Sequence, residues 1–241
     1  MTPTDRVARD LGAALNEAFT QRGDPMRAEQ QQAYMKSSMP FAGLAMPELR
    51  QTCKALIRLH PIDTSAQWQA AVLHLWHSAQ VREQRHAALL LLAHRPYQRQ
   101  WLQPDLLALA RTLIVDGAWW DFVDPLATNH VGLLLEKFPE PIRPQVLAWT
   151  TDADVWVRRS SILCQLKFKA ATDTELLHAA IQGSIQDNDF FARKAIGWAL
   201  REYAKTDAPW VISYVDTHAA SLSALSQREA LRVLRKQGRV V

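Results

Sequence analysis

Two stretches decide the fold: DVWVRRSSIL at residues 154–163 and DFFARKAIGW at residues 189–198. Superposed at a spacing of 35, they bring Asp154 onto Asp189, Arg158 onto Arg193 and Arg159 onto Lys194. Carried back by the same interval, the register falls on WWDFVDPLAT, which begins at Trp119; carried forward, it sets Arg228 under Arg193 and Arg158. Asp124, Arg159 and Lys194 therefore hold equivalent places in successive units. A period in the thirties made of helix pairs is the signature of an α-solenoid, whose stacking turns one helix of each pair toward a concave surface. Chance alignment of Ala-rich helices is the competing reading, and the polar residue recurring at each step favours a true repeat.

Composition points the same way. Of 241 residues, 48% are hydrophobic and 22% charged, which excludes intrinsic disorder. Only 8 are Gly, about half the usual share, and Ala with Leu make up roughly a quarter of the chain. Those two residues lead the helix propensity scale and Gly sits near its foot, which argues against a sheet-rich fold with many tight turns. Helical period runs through nearly every segment: Leu11, Leu15, Ala18 and Phe19 follow one face, as do Leu49, Cys53, Leu56 and Ile57. Breaks fall at Gly23-Asp24-Pro25, Pro47, His60-Pro61, Arg95-Pro96, Gly117, Pro139 to Pro144 and Ala208-Pro209. They predict about a dozen helices of ~10–18 residues in one all-α domain over residues 1–241.

The formal charge of +4 does not identify a polyanion binder, but its distribution is uneven. Residues 155–170 carry Arg158, Arg159, Lys167 and Lys169 with no acid, and residues 226–241 carry five Lys or Arg against Glu229. Local basic surfaces are what a polyanion meets. The start, MTPTDRVARDLG, lacks a signal-peptide core, and the apolar run from Ala87 to Ala93 is far short of a membrane span. A soluble, cytoplasmic protein is the expectation. Cys53 and Cys164 are too few for a disulfide framework or a zinc cluster, and their Leu and Ile neighbours suit buried thiols. His74 and His77 share a helix face without a third ligand, and there is no phosphate loop or nucleophile elbow. No metal and no cofactor are expected.

Three places can carry chemistry. Lys194, Trp198, Arg201 and Lys205 are spaced 4, 3 and 4, which makes one cationic stripe with an indole in its middle. Taken alone, Trp198 is read more readily as a core residue covered by Lys and Arg stems. In Trp119-Trp120-Asp121-Phe122-Val123-Asp124 the second Trp and the last Asp are i and i+4, so indole and carboxylate lie side by side on a helix. Because Pro125 follows, Asp124 is equally read as a helix N-cap. Arg158 and Arg159 offer guanidinium forks suited to phosphate, or a solvated charged face.

Together these segments resemble the AlkD-type DNA alkylation repair family, DNA glycosylases built from HEAT-like helical repeats. The resemblance rests on WWDFVD at 119–124, WVRRSSILCQLKFK at 156–169 and FFARKAIGWALREYAKT at 190–206, with weaker support from AYMKS at 33–37. It implies an α-solenoid of HEAT-like repeats with a concave DNA-binding surface. Trp120, Asp124 and Trp198 would form the catalytic group, Arg159 and Arg201 the phosphate grip, and Tyr34 an aromatic near the lesion. Pro125 departs from the family's pattern and would kink the helix that carries Asp124. The implied activity is that of a monofunctional DNA glycosylase, a hydrolase of base excision repair acting on cationic N3- or N7-alkylpurines in duplex DNA. A monomer with no membrane partner is expected, with no need of a metal and no lysine Schiff base implied. The alternatives are a non-catalytic DNA-binding relative and a helical-repeat adaptor that binds protein.

Overall fold

The computed structural model describes residues 3–239, and among them no strand occurs. Its residues group into two compact units, Met1–Leu102 and Gln103–Val241. No helix of the described residues is long and apolar enough to cross a membrane.

The first unit holds α1 (Pro3–Arg22), α2 (Pro25–Met35), α3 (Met46–Leu59), α4 (Ser65–His77), α5 (Arg82–Leu92) and α6 (Arg95–Trp101). The predicted stripes meet in its core: Leu11, Leu15 and Phe19 of α1 and Leu49, Cys53 and Ile57 of α3 are buried. Trp68 and Trp76 of α4 fill the remaining volume, and the Trp68 indole N–H donates to the Leu91 carbonyl at 2.9 Å. Buried Glu83 accepts from the backbone N–H groups of Ala42, Gly43 and Leu44, at 2.8, 2.8 and 3.1 Å. That loop in turn holds α2, through Arg27 Nη1 to the Gly43 carbonyl and Gln31 Nε2 to the Leu44 carbonyl, both 2.9 Å.

The second unit holds α7 (Leu106–Gly117), α8 (Trp120–Leu126), α9 (Gly132–Lys137), α10 (Pro139–Trp149), α11 (Val155–Leu163), α12 (Thr174–Gln182), α13 (Phe190–Tyr203), α14 (Ala208–Thr217) and α15 (Ala224–Lys236). The 35-residue register holds down to single hydrogen bonds. Asp154 caps α11 by accepting from the N–H groups of Trp156 and Val157, and Asp189 caps α13 by accepting from Phe191 and Ala192. One carboxylate earlier, Asp152 accepts from the Asp154 N–H and Asp187 from the Asp189 N–H, both at 2.9 Å. Arg158 then donates to the Asp152 carbonyl and Arg193 to the Asp187 carbonyl, at 2.6 and 2.7 Å.

Residues 120–137 depart from the simple expectation of long helices. Pro125 sits inside α8, where it supplies no N–H to the helix ladder. The chain continues with π winding over Ala127–Val131 before α9 begins. The Thr128 hydroxyl donates to the Asp124 carbonyl at 2.8 Å within this turn. The predicted helix is thus one continuous run with a wider-wound π segment in its middle.

Candidate active site

Asp124, Arg159 and Lys194 are each the fifth residue of their helices, α8, α11 and α13. The helices pack in sequence, α8 on α11 and α11 on α13, so the equivalent positions become neighbours. Asp124 is not a cap: α8 begins after Trp119, and the carboxylate turns to the next helix. Arg159 grips it with both edges of its fork, Nε to one oxygen at 2.7 Å and Nη2 to the other at 2.9 Å. The third guanidinium nitrogen donates to the Phe191 carbonyl on α13 at 2.5 Å. Arg159 is only 3% exposed, and every nitrogen of its fork already donates within the protein.

Burial pushes the Asp124 carboxyl above the usual carboxylate range; the hydrogen bonds and charge of Arg159 pull it back, and Asp121 adds a smaller push upward. This side chain is partly desolvated, carries its charge against burial, and is held at a fixed angle. Trp120, one turn earlier on α8, is half-buried. Trp119 packs into an aromatic cluster with Trp156 and Phe191, ring centroids 6.0 and 5.2 Å away, and its buried indole N–H donates to no atom among the described residues.

The α13 stripe is present, and it is not bare. Trp198 is half-buried against the apolar core of this unit, which joins the two readings of it: its body packs while part of its surface stays open. Lys194 donates to Glu229 Oε1 at 2.8 Å, and Arg201 donates to Glu229 Oε2. Arg232 lies 3.8 Å from the same carboxylate. The hydrogen bond from Lys194, with the charges of Lys194, Arg201 and Arg232, holds the Glu229 carboxyl below its usual range despite burial. Lys205, further along, is exposed and pairs with Glu202 at 2.6 Å. Arg158 joins the inter-repeat network, with Nη2 on Asp187 at 2.5 Å.

Tyr34 is carried by the other unit, near the end of α2, and is 77% exposed. Glu229 entered the sequence reading only as one acid among five basic residues. The signal for it was available: Glu229 stands 35 residues after Lys194, as Arg159 stands 35 after Asp124, with opposite charge in each pair. Both cysteines are buried, and burial pushes each thiol up to about 12, which leaves them unreactive.

All of this belongs to a helical-repeat protein with a part-buried, arginine-held carboxylate between Trp-bearing helices. A sequence profile described as DNA alkylation repair enzyme matches residues 15–234, and the chain belongs to that family. Among solved structures it resembles a predicted DNA alkylation repair enzyme from Enterococcus faecalis, at 30% identity and a TM-score of 0.79, over 89% of this chain and 97% of that one. No curated protein matches. Membership in this family indicates a role in DNA alkylation repair.

Proposed function

We propose that the protein is a monofunctional DNA glycosylase that hydrolyses cationic N3- or N7-alkylpurine nucleotides in duplex DNA and releases the free base. The observation that carries this reading is the Asp124 carboxylate: partly desolvated, free of cap duty, and locked by Arg159 one turn after Trp120. An alkylated purine already bears positive charge, so it leaves without a general acid. Breaking the glycosidic bond then leaves an oxocarbenium-like sugar whose charge needs an anionic neighbour. A carboxylate ~4 Å from such a charge, at an effective dielectric near 20, supplies up to ~4 kcal/mol, or roughly a thousandfold in rate. Arg159 offsets part of that field while keeping the carboxylate charged and aimed, so Asp124 also serves to orient the attacking water.

Trp120 and Trp198 offer indole faces to the cationic sugar or base, each contributing ~0.5–2 kcal/mol. The Arg159 fork is taken up by Asp124, and Nη1 and Nη2 of Arg158 by the Asp152 carbonyl and Asp187, so we assign the phosphate contacts to Arg201, Lys194 and Lys205. Such contacts position the duplex without reading its sequence.

The test is a duplex carrying a single 7-methylguanine, incubated with wild type and with Asp124→Asn and assayed for free base. Release by wild type and loss in Asp124→Asn are expected; release that survives the substitution overturns the mechanism. The pairing of Asp124 with Arg159 also suits a DNA-binding relative without chemistry. That reading predicts salt-sensitive duplex affinity and no released base.

A further inference from the structure

Helices α13 and α15 approach closely at Gly197, the residue before Trp198. A Cβ built there would lie 2.5 Å from the Glu229 Cβ and 2.9 Å from the Ser226 carbonyl oxygen, so no larger residue fits without movement. One turn before Glu229, the buried Ser226 hydroxyl donates to the Arg193 carbonyl at 2.9 Å and ties the helices together. This close approach delivers one carboxylate, itself only 7% exposed, between Lys194 and Arg201. Those two cations lie two turns apart on α13 and bracket Trp198.

We propose that Glu229 is the positioning residue of the duplex grip: it holds Lys194 and Arg201 from within the fold so that their remaining N–H groups face the backbone phosphates together. This rests on the glycosylase reading above, in which those cations meet phosphate. Three features favour positioning over competition with phosphate. Arg201 gives Glu229 only Nη1, and its Nε and Nη2 donate to no atom among the described residues. The Lys194 ammonium has three hydrogens, and its side chain is 38% exposed even while paired. Glu229 is buried where α15 packs on α13, with its Cβ against Gly197. Long cationic side chains lose rotamer freedom when they bind; here that loss is taken during folding.

The test measures affinity for an undamaged duplex by fluorescence anisotropy across a salt series, with wild type, Glu229→Gln and Glu229→Asp. Removing a carboxylate makes the protein more positive by one charge, so a bulk electrostatic effect would tighten binding. Positioning predicts the reverse: Glu229→Gln binds about tenfold more weakly, and its salt slope is shallower by ~1 for each phosphate no longer gripped. In single-turnover base release the protein concentration needed for half-maximal rate should rise about tenfold, in step with the weaker affinity. Glu175→Gln makes the same charge change on a side chain 90% exposed and should bind as tightly as wild type or more so. If melting shows that Glu229→Gln is unfolded, Glu229→Asp decides on the same criterion, because one methylene less cannot span both cations. Equal or tighter binding by the folded variant overturns the proposal while the glycosylase reading stands. Wild type without salt-sensitive duplex affinity overturns that reading itself, and this inference with it.

Discussion

Replacing Arg159 by Met isolates what the buried pair does. The substitution leaves the Asp124 carboxylate, 13% exposed at its side chain, without the fork that neutralises it. Removing one partner of a buried ion pair destabilises by about 3–5 kcal/mol, because the other charge stays desolvated. For a chain of this size each kcal/mol moves Tm by about 2–4 °C, so Arg159→Met should melt roughly 10 °C lower. Asp124→Leu should be penalised similarly, through the stranded guanidinium. The double variant removes both charges and keeps most of the volume, leaving chiefly the Phe191 carbonyl without its donor, at about 1–3 kcal/mol. The singles would sum to about 6–10 kcal/mol, so the coupling in a double-mutant cycle should reach about 3 kcal/mol or more. Urea denaturation of the four proteins reads this directly. Single effects that add to within about 0.5 kcal/mol would refute the coupling. A second readout is the pH profile of base release. Burial already holds the Asp124 carboxyl high, and Arg159 pulls it down. Without Arg159 the acid limb must move to higher pH, so the loss of activity is greatest on the acid side and shrinks on alkalisation. A limb that stays in place would show that Arg159 does not set the charge of Asp124.

Three further outcomes are expected. His130, buried in the π turn after Pro125, is pushed down to about 4 by burial and by the charge of Lys167. The folded protein then binds fewer protons than the unfolded chain between about pH 4 and 6.5, so stability falls as pH drops through that window. At ~1.4 kcal/mol per unit the loss is about 3 kcal/mol, and His130→Phe should abolish that slope in urea midpoints taken from pH 7 down to about 4.5. Asp124 contributes with the opposite sign. Its raised carboxyl makes the folded state bind the extra proton, so its contribution to stability falls as pH rises above the usual carboxylate range. The two slopes therefore separate by variant. Tyr34→Ala, at a position 77% exposed, should change stability by no more than about 0.5 kcal/mol. If Tyr34 stacks on nucleic acid, the variant should bind duplex with about tenfold lower affinity, the lower end of base–aromatic stacking. Unchanged affinity would leave Tyr34 a surface residue.

Much of the fold is legible in local chemistry. Low Gly with high Ala and Leu determines helices, and the recurring Asp cap followed by an aromatic and an Arg determines a 35-residue repeat that the hydrogen bonds reproduce. Spacing along a helix fixes the angle of a side chain about its axis, so the pairing of Trp120 with Asp124 on one helix and the stripe from Lys194 to Lys205 could be read in advance. Angle does not say what stands opposite. That Arg159 turns inward to Asp124, and that Glu229 gathers Lys194 and Arg201, depend on how closely neighbouring helices stack. At Glu229 that closeness is set by the approach of α15 to α13 at Gly197. A charge is read from sequence as one sign at one angle; only packing decides whether its partner is water, phosphate or a carboxylate one repeat away, because desolvation and contact distance belong to pairs of helices.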